Sequence, residues 1–151
     1  MKADQKTKQL NIEEVAGKIT ASLPGSILTF DKASITVAPK FLHEVAKYLK
    51  NSEEFDFDFL SDVTSVDYED YFEVVYHLVS LSHNHALTLK TRCDDKAKPE
   101  VPSVVDLWRS ADFQEREIYD LMGITFTGHP NMKRLLLWEG FEGHPLRKDY
   151  L

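Results

Sequence analysis

The stretch ADFQEREIYDLMGITFTGHPNMKRLLLWEGFEGHPLRKDY, residues 111–150, decides how this chain is organised. It opens with a helical pattern and continues as an extended run with two Gly-His-Pro triplets, at residues 128–130 and 143–145. A run of this length without regular secondary structure is usually functional in a small domain. This run is more apolar and aromatic than disordered segments usually are. We expect this tail either to wrap around its own domain or to lie across a neighbouring subunit.

A helix is predicted from Asp112 to Met122. Asp112 and Glu115 lie three residues apart, which is the spacing of a capping box, and Gly123 is the glycine expected just past a helix end. The stretch therefore begins with a defined helix that leads directly into the extended run.

Glu117 projects within the apolar face that we predict for this helix at about 100° per residue, a face formed by Phe113, Ile118, Leu121 and Met122. A buried carboxylate is costly unless it is paired. Glu117 therefore either lies at the edge of the face and reaches water, or pairs with Arg134 or Arg147 from the tail. The other side of the helix forms either a solvated face or a surface for a partner, and it carries Arg116, Tyr119 and Asp120.

Upstream of this stretch, helical and strand patterns alternate. The predicted order is a helix, a hairpin, a helix and a three-stranded meander, over residues 11–22, 27–37, 39–50 and 60–92. Asn84 lies in the turn between the last two strands, which should form an antiparallel hairpin. This order predicts an α+β fold: a small antiparallel or mixed sheet with helices packed on one face, followed by a long extended C-terminal tail.

A change of composition divides the chain near residue 100. Residues 94–102, with their charges and two prolines, are predicted to be a linker, and Ser103 is predicted to cap a short helix that runs through Trp108. We expect residues 1–102 to form the α+β domain. Residues 103–151 should carry the helix and the partner-binding tail, within the same domain or as its extension.

Composition excludes several classes of protein. At 151 residues one domain is expected, and a net charge of −7 argues against non-specific nucleic-acid binding. The single cysteine, Cys93, cannot form an intrachain disulfide or ligate an iron–sulfur cluster by itself. No apolar run approaches the roughly 20 residues of a membrane span, and the N-terminus does not resemble a secretory signal. A cytoplasmic protein is expected, with membrane contact only through a partner.

Three kinds of site have weak support. Zinc could in principle be held by histidines together with an acid from residues 53–73, the histidines being His83, His85, His129 and His144. Cys93 has no neighbouring histidine or helix start in the sequence that would lower its pKa and make it a nucleophile. Neither a Gly-x-Gly-x-x-Gly nor a Walker motif is present, so no nucleotide site is predicted. An independent adaptor or regulatory domain is the general alternative.

This stretch contains a signature that closely resembles that of a known family. The signature consists of Glu115-Arg116-Glu117-x-Tyr119-Asp120-x-x-Gly123-Ile124-x-Phe126-x-Gly128-His129-Pro130, then Arg134-Leu135-Leu136, Trp138 and Gly143-His144-Pro145-Leu146-Arg147-Lys148-Asp149-Tyr150. The family is the 30-kDa-type subunit, also called the C subunit, of proton-pumping NADH-quinone oxidoreductase, respiratory complex I. The signature covers about 40 residues, and residues 62–68 (DVTSVDY) also agree. Membrane-bound hydrogenases and formate hydrogenlyase contain a related subunit.

The resemblance implies a non-catalytic scaffold in the peripheral arm, on the cytoplasmic side of the cell membrane. Its partners would be the large hydrogenase-like subunit of the quinone module and the neighbouring iron–sulfur subunits. FMN, iron–sulfur clusters and quinone would be held by partners, with no cofactor, metal or catalytic residue in this chain. The packing and interface residues implied by the signature are Glu115, Arg116, Glu117, Tyr119, Asp120, Gly123, His129, Pro130, Arg134, Trp138, Pro145, Leu146, Arg147 and Lys148.

Overall fold

The computed structural model describes residues 8–134, 137 and 141–148. Within them, strands and helices follow one another in this order: β1 (Lys8–Gln9), α1 (Ile12–Ser22), β2 (Ile27–Phe30), β3 (Ser34–Val37), α2 (Leu42–Asn51), β4 (Phe59–Asp67), β5 (Phe72–Ser80), β6 (His85–Cys93), β7 (Glu100–Pro102), α3 (Ala111–Met122) and β8 (Thr125–Thr127). A short 3₁₀ turn, Pro39–Phe41, precedes α2.

The main sheet is mixed, with the strand order β2-β3-β6-β5-β4. Neighbouring strands are antiparallel except that β3 runs parallel to β6, and β1 also pairs in parallel with the start of β6. The β5–β6 hairpin pairs Ser80 with His85, and Asn84 in its turn has φ +54°, a left-handed conformation that asparagine tolerates. The predicted hairpin and meander are confirmed.

Helices α1 and α2 pack on one face of this sheet. Alternate side chains of β5 and β6 point toward them and are buried, including Val74, Leu78 and Leu89. Asn11 caps α1, since its Oδ1 accepts a hydrogen bond from the Glu14 N–H at 3.2 Å. The predicted α+β class, with helices on one face, is therefore confirmed.

The opposite face of the sheet carries charged side chains that are paired with neighbours across the strands. The Glu73 carboxylate lies 3.9 Å from the Lys90 ammonium, and Asp62 Oδ1 lies 2.5 Å from His77 Nδ1. Asp62 and His77 are directly opposed across β4 and β5, whereas Glu73 and Lys90 are diagonal neighbours across β5 and β6. The carboxylates of Glu73 and Asp62 on this face therefore have polar partners within the sheet.

The linker prediction for residues 94–102 is wrong at its end. Residues 100–102 form β7, which pairs in parallel with β8, for example Val101 with Phe126. Val101, Phe126, Ile118 and Met122 join the same buried cluster as the side chains of α1, α2 and the main sheet. Among the described residues, no helix is both long and apolar enough to cross a membrane.

The short helix predicted after Ser103 is also absent from residues 103–108, which form a turn. The Ser103 hydroxyl accepts a hydrogen bond from Val105 N–H at 3.1 Å and donates to Glu115 Oε1 at 2.6 Å. Ser103 thus ties this turn to α3, and only a single turn follows, with Trp108 N–H donating to Val104 O at 3.0 Å.

The predicted capping box at the start of α3 is wrong, because Glu115 points into the core. Helix α3 begins at Ala111, and no side chain caps it. The Glu115 side chain is fully buried, and its Oε2 accepts a hydrogen bond from Val104 N–H at 3.0 Å. Burial raises the pKa of this carboxyl from 4.5 to about 7, although the bonds from Ser103 and Val104 oppose the shift. Glu115 therefore fastens α3 to the turn after β7.

Replacing Glu115 with Gln should change how stability depends on pH. Between pH 4.5 and about 7 the folded chain keeps a proton that the unfolded chain has released. The stability of the native protein should therefore fall as the pH rises through this window, by about 3 kcal/mol at about 1.4 kcal/mol per pKa unit. Urea unfolding at pH 5 and pH 8 should show that Glu115→Gln lacks this loss.

Glu117→Gln is the matched control for this experiment, because the Glu117 side chain is exposed on the same helix. Its stability should follow that of the native protein at both pH values. Parallel behaviour of Glu115→Gln and the native protein would contradict the assignment of the buried proton to Glu115.

Candidate partner-binding surface

A buried ion pair between Asp120 and Arg134 joins α3 to the tail. The Asp120 side chain is fully buried, and Arg134 Nη1 donates to its Oδ1 and to its backbone carbonyl, each at 2.8 Å. Arg134 Nη2 donates to the carbonyl oxygens of Phe141 at 3.0 Å and Gly143 at 2.8 Å. Asp120 Oδ2 accepts a hydrogen bond from Leu137 N–H at 2.9 Å. We call this group of contacts the Asp120–Arg134 clasp.

His144 packs against the end of α3 beside this clasp. Its Nδ1 donates to the Asp120 carbonyl at 2.9 Å. Gly123, directly after the helix, has φ +78°, and a Cβ at this position would lie 2.7 Å from His144 Cδ2. Glycine is therefore required here both by the left-handed turn and by the close approach of the imidazole.

The end of the described tail is tied to the sheet. Arg147 Nη2 donates to the Lys96 carbonyl at 2.6 Å, and its guanidinium lies 4.9 Å from the centre of the Phe72 ring. Lys148 N–H donates to Asp67 Oδ2 at 2.8 Å. Although burial raises the pKa of the Asp67 carboxyl, the hydrogen bonds from Lys148 and Lys96 lower it below its ordinary value. Of the two arrangements expected for the tail, its described residues follow the first and lie on their own domain.

His129 holds the first Gly-His-Pro triplet against the start of α3. Its side chain is fully buried, its Nε2 lies 3.0 Å from Asp112 Oδ1, and its Nδ1 accepts a hydrogen bond from Asn131 N–H at 2.9 Å. Arg116 reaches the same segment through the carbonyl oxygens of Lys133 at 3.2 Å and Arg134 at 3.1 Å. Both side chains thus fix the route of the chain between β8 and the clasp.

Glu117 and Asp120 lie on opposite sides of α3, and only Glu117 has one of the environments predicted for it. Glu117 is exposed, so the predicted pairing with Arg134 or Arg147 is wrong and the expected contact with water is confirmed. Asp120, expected on the outer side, is buried and takes Arg134 as its partner. Phe113, predicted in the buried face, is 62% exposed.

The predicted face of α3 is half right, because Ile118 and Met122 are buried, but the buried stripe continues through Glu115 and Ala111 rather than through Phe113. Ala111, Glu115, Ile118 and Met122 recur at helical spacing and are all buried. This stripe contains a carboxylate and a small residue, so it looked less apolar than the stripe that begins at Phe113. The hydroxyl of Ser103 and the amide of Val104, which make the buried carboxylate acceptable, come from outside the helix.

The signature residues divide into an inner and an outer set. The inner set makes the contacts within the chain described above and consists of Glu115, Arg116, Asp120, Gly123, His129, Arg134 and Arg147. The outer set is exposed or half-buried and consists of Glu117, Tyr119, Pro130, Pro145, Leu146 and Lys148. Trp138 lies outside the described residues. Whether any of them contacts a partner stays a prediction.

The other candidate residues lie in separate places. His83 and His85 donate from Nε2 to the carbonyl oxygens of Glu53 and Phe55, each at 2.7 Å, far along the chain from the tail histidines. Within the described residues, no group of three or more His, Cys, Asp or Glu side chains is arranged to hold a metal ion. Cys93 is buried, and burial raises the pKa of its thiol to about 12, which disfavours the reactive thiolate.

Gly123→Ala should destabilise the chain more than Gly25→Ala does. Both glycines have similar left-handed φ angles, +78° and +81°, so both variants carry a backbone cost of about 1 kcal/mol. Only at Gly123 does the new methyl group meet another side chain, that of His144. Urea unfolding should show a further loss of about 1 kcal/mol or more at Gly123, and equal losses would contradict the packing of His144 on the turn.

Arg134→Ala should release the tail as well as destabilise the fold. The variant leaves the Asp120 carboxylate buried without its cation, which should lower the free energy of unfolding by about 3 kcal/mol. Trypsin should then cleave faster after Arg147 and Lys148, as followed by mass spectrometry. Lys133→Ala, which removes the exposed neighbouring cation, should leave cleavage unchanged. Equal cleavage of both variants would show that the clasp does not hold the tail.

Comparison with known proteins supports a specific family. The family described as respiratory-chain NADH dehydrogenase, 30 Kd subunit, matches residues 35–151. The NADH-quinone oxidoreductase C subunit of Roseiflexus castenholzii is 41% identical over 142 residues, covering 89% of this chain and 81% of that protein. The protein of the same name from Coxiella burnetii is 36% identical over 177 residues, covering 95% of this chain and 78% of that protein.

A solved structure shows the same fold in a respiratory membrane assembly. A chain in the structure of the membrane-bound sulfane sulfur reductase, an archaeal respiratory membrane complex, matches with a TM-score of 0.73 and 26% sequence identity. The match covers 91% of this chain and 84% of that chain. With the family match over most of the sequence, these findings show that the chain belongs to the family of the 30-kDa subunit of respiratory-chain NADH dehydrogenase.

Proposed function

We propose that this chain is a non-catalytic scaffold subunit in the peripheral arm of a proton-translocating NADH-quinone oxidoreductase. Family membership and relatives that are about two-fifths identical support a subunit of this complex. The structural likeness to a chain of another respiratory membrane complex is lower in sequence identity, at 26%. The first assembly is therefore favoured over a hydrogenase-type assembly and over a stand-alone hydrolase.

The observation that carries the scaffold role is the Asp120–Arg134 clasp. Arg134 uses its donors on a buried carboxylate and on the carbonyl oxygens of Asp120, Phe141 and Gly143, so its chemistry is directed at the chain itself. His144 is used in the same way. These signature residues fix the shape of the tail and do not point polar groups into a cleft. This use of polar groups supports a scaffold role, in which the chain presents a surface to other subunits.

We propose that electron transfer takes place in partner subunits. Iron–sulfur clusters would be held by those partners, because one cysteine cannot supply the thiolates of a cluster and Cys93 is buried with a raised thiol pKa. FMN and quinone would be held by partners as well, as the family resemblance implies. The partners would be the large hydrogenase-like subunit of the quinone module and the neighbouring iron–sulfur subunits. The chain would lie on the cytoplasmic side of the cell membrane and contact the membrane only through the complex.

Affinity purification of the tagged chain from detergent-solubilised membranes tests this proposal. The expected result is recovery of a large hydrogenase-like subunit, iron–sulfur subunits and NADH- or flavin-binding subunits in one particle with NADH–quinone activity. Arg134→Ala should lower the recovery of these partners, because the surface that the tail presents is no longer fixed, while Lys133→Ala should not. Recovery of nickel-ligating hydrogenase partners would change the reaction and keep the family. A chain recovered alone would contradict the scaffold role.

A further inference from the structure

The outward side of α3 carries a line of apolar side chains with one carboxylate among them. We call this line the outer stripe and define it as Phe113, Glu117, Leu121 and Leu146. Successive α3 members lie four residues apart, so they follow one line along the helix surface. Leu146 N–H donates to the Leu121 carbonyl at 2.9 Å, which brings Leu146 to the C-terminal end of the line. Phe113 and Leu146 are 62% and 61% exposed.

Glu117 has no hydrogen-bond or ion-pair partner among the described residues. The neighbouring cation, Arg116, donates to the carbonyl oxygens of Lys133 and Arg134 and forms no ion pair with Glu117. Its guanidinium also lies 5.8 Å from the centre of the Phe113 ring. The carboxylates on the outer face of the sheet, by contrast, already have cations or histidines beside them. The outer stripe therefore has a carboxylate without an ion-pair partner among the described residues, and it lies between two exposed apolar side chains.

Another apolar surface of the chain gives less reason for docking. Strand β2, at the edge of the sheet, exposes Leu28 and Phe30. However, its pairing with β3 is irregular between Ile27 and Thr29, and bulges of this kind discourage the addition of a further strand. Nothing in that strand indicates the chemistry of an occupant, whereas Glu117 does so for the outer stripe.

We propose that the outer stripe is the docking surface for a neighbouring subunit that places apolar side chains on Phe113 and Leu146 and an arginine or lysine on Glu117. This inference rests on the proposed function and adds the chemistry of the contact. A second copy of this chain fits poorly, because a two-fold contact centred on the stripe would oppose two Glu117 carboxylates. An anionic membrane surface fits poorly for the same reason, since the chain has a net charge of −7.

Charge variants in the assembled complex test the proposal. Glu117→Lys should lower the yield of complex containing the tagged chain by about tenfold or more, because like charges opposed in an interface cost at least the equivalent free energy. Glu117→Gln should cause a smaller loss. Glu53→Lys, an exposed site outside α3 whose carbonyl binds His83, should cause none. Isolated chains should melt at the same temperature in all three cases, and an undiminished yield for Glu117→Lys would overturn the proposal.

Photo-crosslinking identifies the occupant directly. A benzophenone amino acid at position 117 or 113 of the chain in the purified complex should give an adduct with a peptide of a partner that contains arginine or lysine beside apolar residues. The same group at position 53 should give no such adduct. Adducts with a second copy of this chain, or none in an intact complex, would overturn the docking surface while leaving the scaffold function standing. If the chain enters no complex at all, the proposed function fails as well.

Discussion

The structure depends on the buried pairing of Asp120 with Arg134. An unpaired carboxylate in this position would be strongly unfavourable, so once α3 is packed the side chain of Asp120 requires a cation. The tail supplies it, and Arg134 reaches the carboxylate because the chain after β8 turns back over the end of the helix. The same guanidinium then binds the carbonyl oxygens of Phe141 and Gly143. One electrostatic requirement in the helix thus holds Arg134, Phe141 and Gly143 together at the end of α3.

This requirement separates the two sides of α3. Glu115 and Asp120 point inward, where one is satisfied by Ser103 and Val104 and the other by Arg134. Glu117, between them in sequence, points outward and is left for another molecule. The acidic residues of one short helix therefore serve three different purposes: attachment to the turn after β7, attachment to the tail, and presentation of charge at the surface. All of these residues are acidic, so their residue type does not distinguish the three roles. Their angular position around the helix does.

Local patterns predicted most of the sheet and its two packed helices, because alternation in residues 60–92 and the turn at Asn84 are properties of neighbouring residues. Strand β7 was missed since it has only three residues and its partner, β8, lies beyond α3. The phase of α3 was predicted only in part, since Ile118 and Met122 are buried as expected but Phe113 is exposed. A stripe through Phe113 looked more apolar than the stripe through Glu115, and the groups that neutralise the cost of burying Glu115 and Asp120 come from distant segments. The signature did not reveal which of its residues face inward.

The described residues of the tail are held on their own domain by contacts within this chain, and every inference about the surface of the tail depends on that. Hydrogen exchange of the isolated chain, read at the backbone amides of Leu137, Leu146 and Lys148, tests it most directly, because each of these N–H groups donates to an acceptor in α3 or the sheet. Protection of these amides in the absence of any partner is the predicted result. Exchange at the rate of an unstructured peptide, while the amides of β5 and β6 remain protected, would contradict the claim and mean that partners impose the arrangement of the tail.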